Sequence, residues 1–100
     1  REGVRLNRRG NYEYIENIDS ITKTSGSVDF NGTIFLVESN EYGGKIKLNI
    51  GVNDDLGGCI YVNFYESNTI NRELIKELAK GVNVRIRGVV YFDEFNKWKL

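Results

Sequence analysis

The sequence predicts a mainly all-β domain, a five-stranded barrel with one short helix between its third and fourth strands. Three observations carry this. Several runs alternate apolar and polar residues, as half-buried strands do. Breaks rich in Gly, Asn and Asp fall between those runs. One stretch only, residues 70–81, has helical spacing with a capping residue at one end and a glycine at the other.

The first strand is read in "VDFNGTIFLVES", where Val28, Phe30, Gly32 and Ile34 share one face and the period then slips to bring Val37 inward. A glycine and a slipped register in a long strand point to a bulge or sharp bend. "NEYGG", residues 40–44, supplies the next turn. "KIKLNIGV" alternates strictly, with Ile46, Leu48, Ile50 and Val52 inward and Lys45, Lys47 and Asn49 outward. "NDDLGG", residues 53–58, turns the chain back. "CIYVNFY" then sets Ile60, Val62 and Phe64 inward and Cys59, Tyr61, Asn63 and Tyr65 outward.

The helix is predicted over "INRELIKELAK". Leu74, Ile75, Leu78 and Ala79 form its apolar stripe, Asn71 caps it, Ile70 staples to Ile75 and Gly81 stops it. About ten residues are marginal alone, so the stripe has to pack on the sheet. "NVRIRGVVYF" is the fourth strand, with Val84 and Ile86 inward, Arg85 and Arg87 outward and a break at Gly88. After a turn at Asp93-Glu94, "KWKL" enters a fifth strand.

Three meander strands, a helix and a closing hairpin, with a bent first strand, is the order of an OB-fold barrel, expected over residues 27–100. Residues 1–26 are read as an N-terminal arm, hairpin or connector, with the alternating runs Val4-Arg5-Leu6 and Tyr12-Glu13-Tyr14-Ile15 on either side of a turn-like stretch.

Composition narrows the function. The chain has 100 residues, enough for one domain, and 14 basic residues against 14 acidic, so attraction to an anionic polymer has to come from local clustering. One cysteine and no histidine remove intramolecular disulfides, zinc clusters and the Cys/His and Ser/His/Asp constellations. The expectation is therefore a non-catalytic domain without cofactor or metal. Asp54-Asp55 reads as a hairpin turn, since "NDDLGG" lacks the ligand spacing of a calcium loop. No apolar run is long enough for a transmembrane helix and no leader is visible, which predicts a soluble, reducing, cytoplasmic setting without membrane contact. A first residue Arg1 and no methionine suggest a piece of a longer chain.

The outward faces carry the functional reading. Lys45, Lys47, Asn49, Tyr61, Asn63, Tyr65, Arg85 and Arg87 interleave cations, rings and amides on strands two to four. That mixture suits single-stranded nucleic acid: cations follow phosphates, tyrosines stack on bases, asparagines reach base edges. Lys23, Lys97 and Lys99 extend it. The same residues also serve as an ordinary solvent face, with Arg85 and Arg87 paired to Glu38, Glu41 or Glu66. Alternatively they form a protein–protein interface, where Tyr and Arg are enriched.

Several of these stretches resemble a known family. "VDFNGTIFLVES", "GVNDDLGGCIYVNFYE" and "LIKELAKGVNVRIRGVVYFDEFNK" are similar to the OB domain of the PolC-type DNA polymerase III alpha subunit. The shared features are Gly32, the Asp54-Asp55 turn, Gly58-Cys59-Ile60, Lys80-Gly81, Val84-Arg85-Ile86-Arg87-Gly88 and Phe92-Asp93-Glu94-Phe95. The likeness covers about residues 28–100. It implies a replication module that contacts single-stranded DNA, next to other domains of a polymerase that hold the catalytic residues; the residues themselves favour DNA over RNA only through this resemblance.

Overall fold

A computed structural model describes residues 2–6, 11–22 and 24–92. The described chain is mostly β. Its strands are β1 (Glu2–Leu6), β2 (Glu13–Tyr14), β3 (Ser27–Tyr42), β4 (Lys45–Asn53), β5 (Cys59–Tyr65) and β6 (Asn83–Phe92). A 3-10 turn (Ile18–Ser20) precedes β3, and one helix, α1 (Arg72–Glu77), lies between β5 and β6. All six strands belong to one sheet, ordered β2-β3-β4-β5-β1-β6. A further pairing of β3 with β6 links five of them into a ring that is not a regular barrel.

The long strand β3 makes this ring possible. Its first half, Ser27 to Thr33, pairs antiparallel with β6, and its second half, Thr33 to Tyr42, pairs antiparallel with β4. The register slips between Ile34 and Leu36, at the break that the hydrophobic pattern predicts. Gly32 sits just before the slip because nothing larger fits. A Cβ there would collide with the Val52 side chain and lie 2.8 Å from the carbonyl oxygen of Asn53. β4 and β5 complete the meander in the register that keeps Ile50 beside Val62 and Val52 beside Ile60.

The N-terminal residues differ from the expectation of an arm or connector. β1 lies inside the ring, parallel to β5 and antiparallel to β6. Val4 is fully buried between Val62 and Val90. Gly88, opposite Leu6, allows β1 to come close, since a Cβ there would stand 2.6 Å from a Val4 methyl. The fifth-strand place beside β6 is thus held by residues 2–6. The strand expected at 97–100, the turn at Asp93-Glu94 and the cations Lys23, Lys97 and Lys99 lie outside the described residues.

The inward positions read from the alternation form the core. Val28, Phe30, Ile34, Leu48, Ile50, Val52, Ile60, Val62, Phe64 and Ile86 are all buried, and Val37, Ile46 and Val84 pack against them half-buried. One end is closed by Ile18 and Ile21, held by Asp54 of the β4–β5 turn, whose Oδ2 accepts the Ile18 N–H at 2.8 Å. The other end is covered by Ile70, Ile75 and Leu78.

The helix is shorter than the pattern suggests. Asn71 caps it, with Oδ1 accepting the Leu74 N–H at 3.0 Å, but Leu78 already has extended backbone. The chain leaves the helical path because Gly81 and Val82 bond to the backbone of Ile34, which aligns β6 with β3. Leu74 and Ala79, expected on the packed stripe, are exposed. Among the described residues no helix is long and apolar enough to cross a membrane.

Candidate nucleic-acid interface

Cross-strand register decides which outward residues meet. Lys47 lies opposite Tyr65 and Asn49 opposite Asn63, so four of the expected residues form a block on β4 and β5. The Lys47 ammonium stands 5.7 Å from the centre of the Tyr65 ring, which is 55% exposed. Lys45 is exposed at the start of β4, opposite Tyr42 at the hairpin end. Asn63 is next to Arg5 of β1, and its Nδ2 donates to the Tyr91 hydroxyl. The Arg5 guanidinium lies 5.1 Å from the centre of the Tyr91 ring. Asn49 Oδ1 is shielded from solvent with no hydrogen-bond partner, an acceptor left unsatisfied in the middle of the block.

Tyr61 does not belong to this open surface. Alternation points it outward as expected, yet it is 1% exposed. The register slip in β3 delivers Phe35 to the outer side, where its ring lies across Gly51 and meets Tyr61 edge-on at 6.0 Å between centroids. The glycines opposite Tyr61 on both sides leave room for neighbouring rings, Phe35 over Gly51 and Tyr91 over Gly3. Tyr61 therefore packs in a small outer layer and its faces are closed to a base.

Arg85 and Arg87 have a partner that the sequence reading did not name. Asp29, on the outward side of β3 and almost buried, accepts from Arg85 Nε at 2.9 Å and Nη2 at 2.7 Å, and from Arg87 Nε at 3.3 Å. The Arg85 hydrogen bonds hold the Asp29 carboxyl below the usual carboxylate range, against the opposing effect of its burial. The expected alternatives are placed elsewhere: Glu41 and Glu66 bind Arg72. Both guanidinium side chains remain 56% exposed, so one carboxylate orients two cations and neutralises one charge. Arg87 also stands 5.8 Å from the centre of the Tyr12 ring.

The two clusters meet beyond the end of β1. β1 runs to Leu6, opposite Gly88, and beyond it no strand among the described residues lies between the end of β5 and the start of β6. A groove of about 560 Å³ lies here, lined among others by Arg5, Asn63, Phe64, Tyr65, Ile70, Arg85 and Arg87. Three guanidinium groups, one amide and one open ring thus face a single space. Arg5 is not among the expected site residues, because Val4-Arg5-Leu6 lies far along the chain from the strands it pairs with; its alternation with a buried valine is the available signal. Asp29 alternates with the buried Val28 and Phe30 in the same way.

Asp54 is a structural carboxylate. Burial alone would raise its pKa, but N–H donors of Ile18, Gly58 and Leu56 outweigh this and hold it below the usual range. No group of three or more His, Cys, Asp or Glu able to hold a metal occurs among the described residues. No family model matches the chain, and no curated protein is significantly similar to it.

Proposed function

We propose that this chain is a non-catalytic OB-fold module that binds single-stranded nucleic acid in the groove between the ends of β5 and β6. The OB reading is supported by the closure of β3 on β6, by the three-strand meander and by the helix between β5 and β6, with residues 2–6 acting as the fifth strand. One observation carries the binding reading: Arg5, Asn63, Tyr65, Arg85 and Arg87 line one groove that continues onto Lys47. Guanidinium groups bind phosphates as planar forks, and an exposed tyrosine stacks on any base. Asp29 holds two of the forks in place, so less side-chain freedom is lost on binding. Among the residues expected at the site, Tyr61 is buried beside Phe35, and Arg5 is proposed as a contact instead. The setting within a replicative polymerase, the preference for DNA and a cytoplasmic location rest on the resemblance of residues 28–100 and on composition.

The test is fluorescence anisotropy of labelled oligo-dT of roughly 15 nucleotides, near the upper end of what one OB fold covers. Four cations less the Asp29 charge leave about two to three phosphates neutralised, so log K should fall with log salt at a slope of about −1.4 to −2. An Arg5→Ala/Tyr65→Ala variant should lose binding while keeping its melting temperature. Binding that ignores salt, or that survives in this variant, contradicts the reading. No binding at low salt would leave a protein-contacting module as the better account.

A further inference from the structure

A second groove, of about 790 Å³, has a different chemistry. At Thr33, β3 changes partner, facing Asn83 of β6 on one side and Asn53 of β4 on the other. Alternation therefore sets Asn53, Thr33 and Asn83 in one row on the outside of the ring. Asn31, two residues earlier, lies opposite Arg85, while Tyr14 of β2 and Asp55 of the β4–β5 turn complete the lining.

Internal hydrogen bonds fix what these groups offer. The Thr33 hydroxyl donates to Asn83 Oδ1 at 2.7 Å, which leaves the two Asn83 Nδ2 hydrogens for a ligand. Asn31 Nδ2 donates to the Tyr14 hydroxyl oxygen at 3.3 Å, which leaves Asn31 Oδ1 as an acceptor and the Tyr14 O–H as a donor. Asp55 adds an acceptor and Asn53 both kinds. The groove thus offers donors and acceptors together, a mixture that vicinal hydroxyls satisfy, since each hydroxyl gives one hydrogen bond and takes others. A phosphate, which only accepts, would leave half of these groups unpaired.

Charge points the same way. Among the described residues Glu16, Asp54 and Asp55 line the groove with one cation, Arg85, which is already engaged with Asp29. An anionic polymer is repelled here. Tyr14 and Leu56, 53% and 68% exposed, offer apolar surface at the rim. A pyranose ring has a matching C–H face.

We propose that this groove binds a saccharide without anionic groups, through Asn31, Asn53, Asn83 and Asp55, with Tyr14 against the sugar face. It shares only Arg85 with the nucleic-acid groove, and its proposal does not depend on that one. The test is titration of the ¹⁵N-labelled chain with maltohexaose, cellohexaose, chitohexaose and oligogalacturonate, each at millimolar concentration, following backbone and Asn side-chain amide resonances. At least one neutral oligosaccharide should shift Asn31, Thr33, Asn53 and Asn83 saturably and leave Asn63 and Arg5 in place, while oligogalacturonate shifts none of them. Tyr14→Ala and Asn83→Ala, both at exposed positions, should each abolish the shifts with the rest of the spectrum preserved. Absence of a shift with every neutral oligosaccharide overturns the proposal. So does an equal response to oligogalacturonate, or persistence of the shifts in both variants. Oligo-dT added to the same sample reports on Arg5, Asn63 and Tyr65, so failure of one site is read apart from failure of the other.

Discussion

Val4→Ala is the sharpest probe of the ring. Val4 has no exposed surface and lies between Val62 of β5 and Val90 of β6, in the strand that bridges them. The substitution deletes two methylene equivalents, worth about 1.6 kcal/mol at roughly 0.8 kcal/mol each. The rigid strands on both sides cannot collapse fully onto the space, which adds a cavity cost and brings the total to about 2–3 kcal/mol. For a domain of this size that corresponds to a fall in Tm of roughly 10–20 °C, at about 4–8 °C per kcal/mol. Thermal and urea unfolding followed by circular dichroism would measure it. If residues 2–6 were an appendage, Val4→Ala would change stability by no more than about 0.5 kcal/mol, as surface substitutions do. That result would refute the placement of β1 inside the ring.

Gly32→Val should destabilise by about 1–3 kcal/mol, because its side chain would overlap Val52 and press on the Asn53 carbonyl; urea midpoints would show it. Tyr61→Ala should cost about 3–5 kcal/mol, the loss expected of a buried ring, where an open binding residue would cost almost nothing. Stability should also depend on acid. The folded-state pKa of Asp29 is lowered, so its contribution is complete above the unfolded value of about 4 and is lost as pH falls through the folded value. Melting temperatures measured from pH 6 down to pH 2 should therefore fall below about pH 4, and Asp29→Asn should flatten that fall without removing it, since Asp54 behaves in the same sense. A slope unchanged in Asp29→Asn would contradict the arginine pairing.

Much of the fold was legible because alternation is a local signal. Ile46, Leu48, Ile50 and Val52, or Ile60, Val62 and Phe64, fix their own faces, and the slip after Ile34 announces the bulge. What alternation cannot provide is the neighbour. Tyr61 points outward as its pattern requires, but its cover is Phe35, brought there by a bulge in another strand. Arg85 and Arg87 face out as read, but their carboxylate is 56 and 58 residues away in β3. The strand Glu2–Leu6 is short, and its membership in the ring depends on an edge formed by β5 and β6 near the other end of the chain. The helix lost its last turn to backbone bonds from Gly81 and Val82 to Ile34, a long-range competition that its own sequence does not display.

The central claim, that the groove between the ends of β5 and β6 receives a single strand, is tested most directly by mapping amide resonances of the labelled protein as oligo-dT is added at low salt. The account predicts shifts concentrated at Arg5, Asn63, Tyr65, Arg85 and Arg87 and spreading to Lys47, with Asn53 and Asn83 unmoved. Shifts centred on any other surface, or none at saturating oligonucleotide, would contradict it.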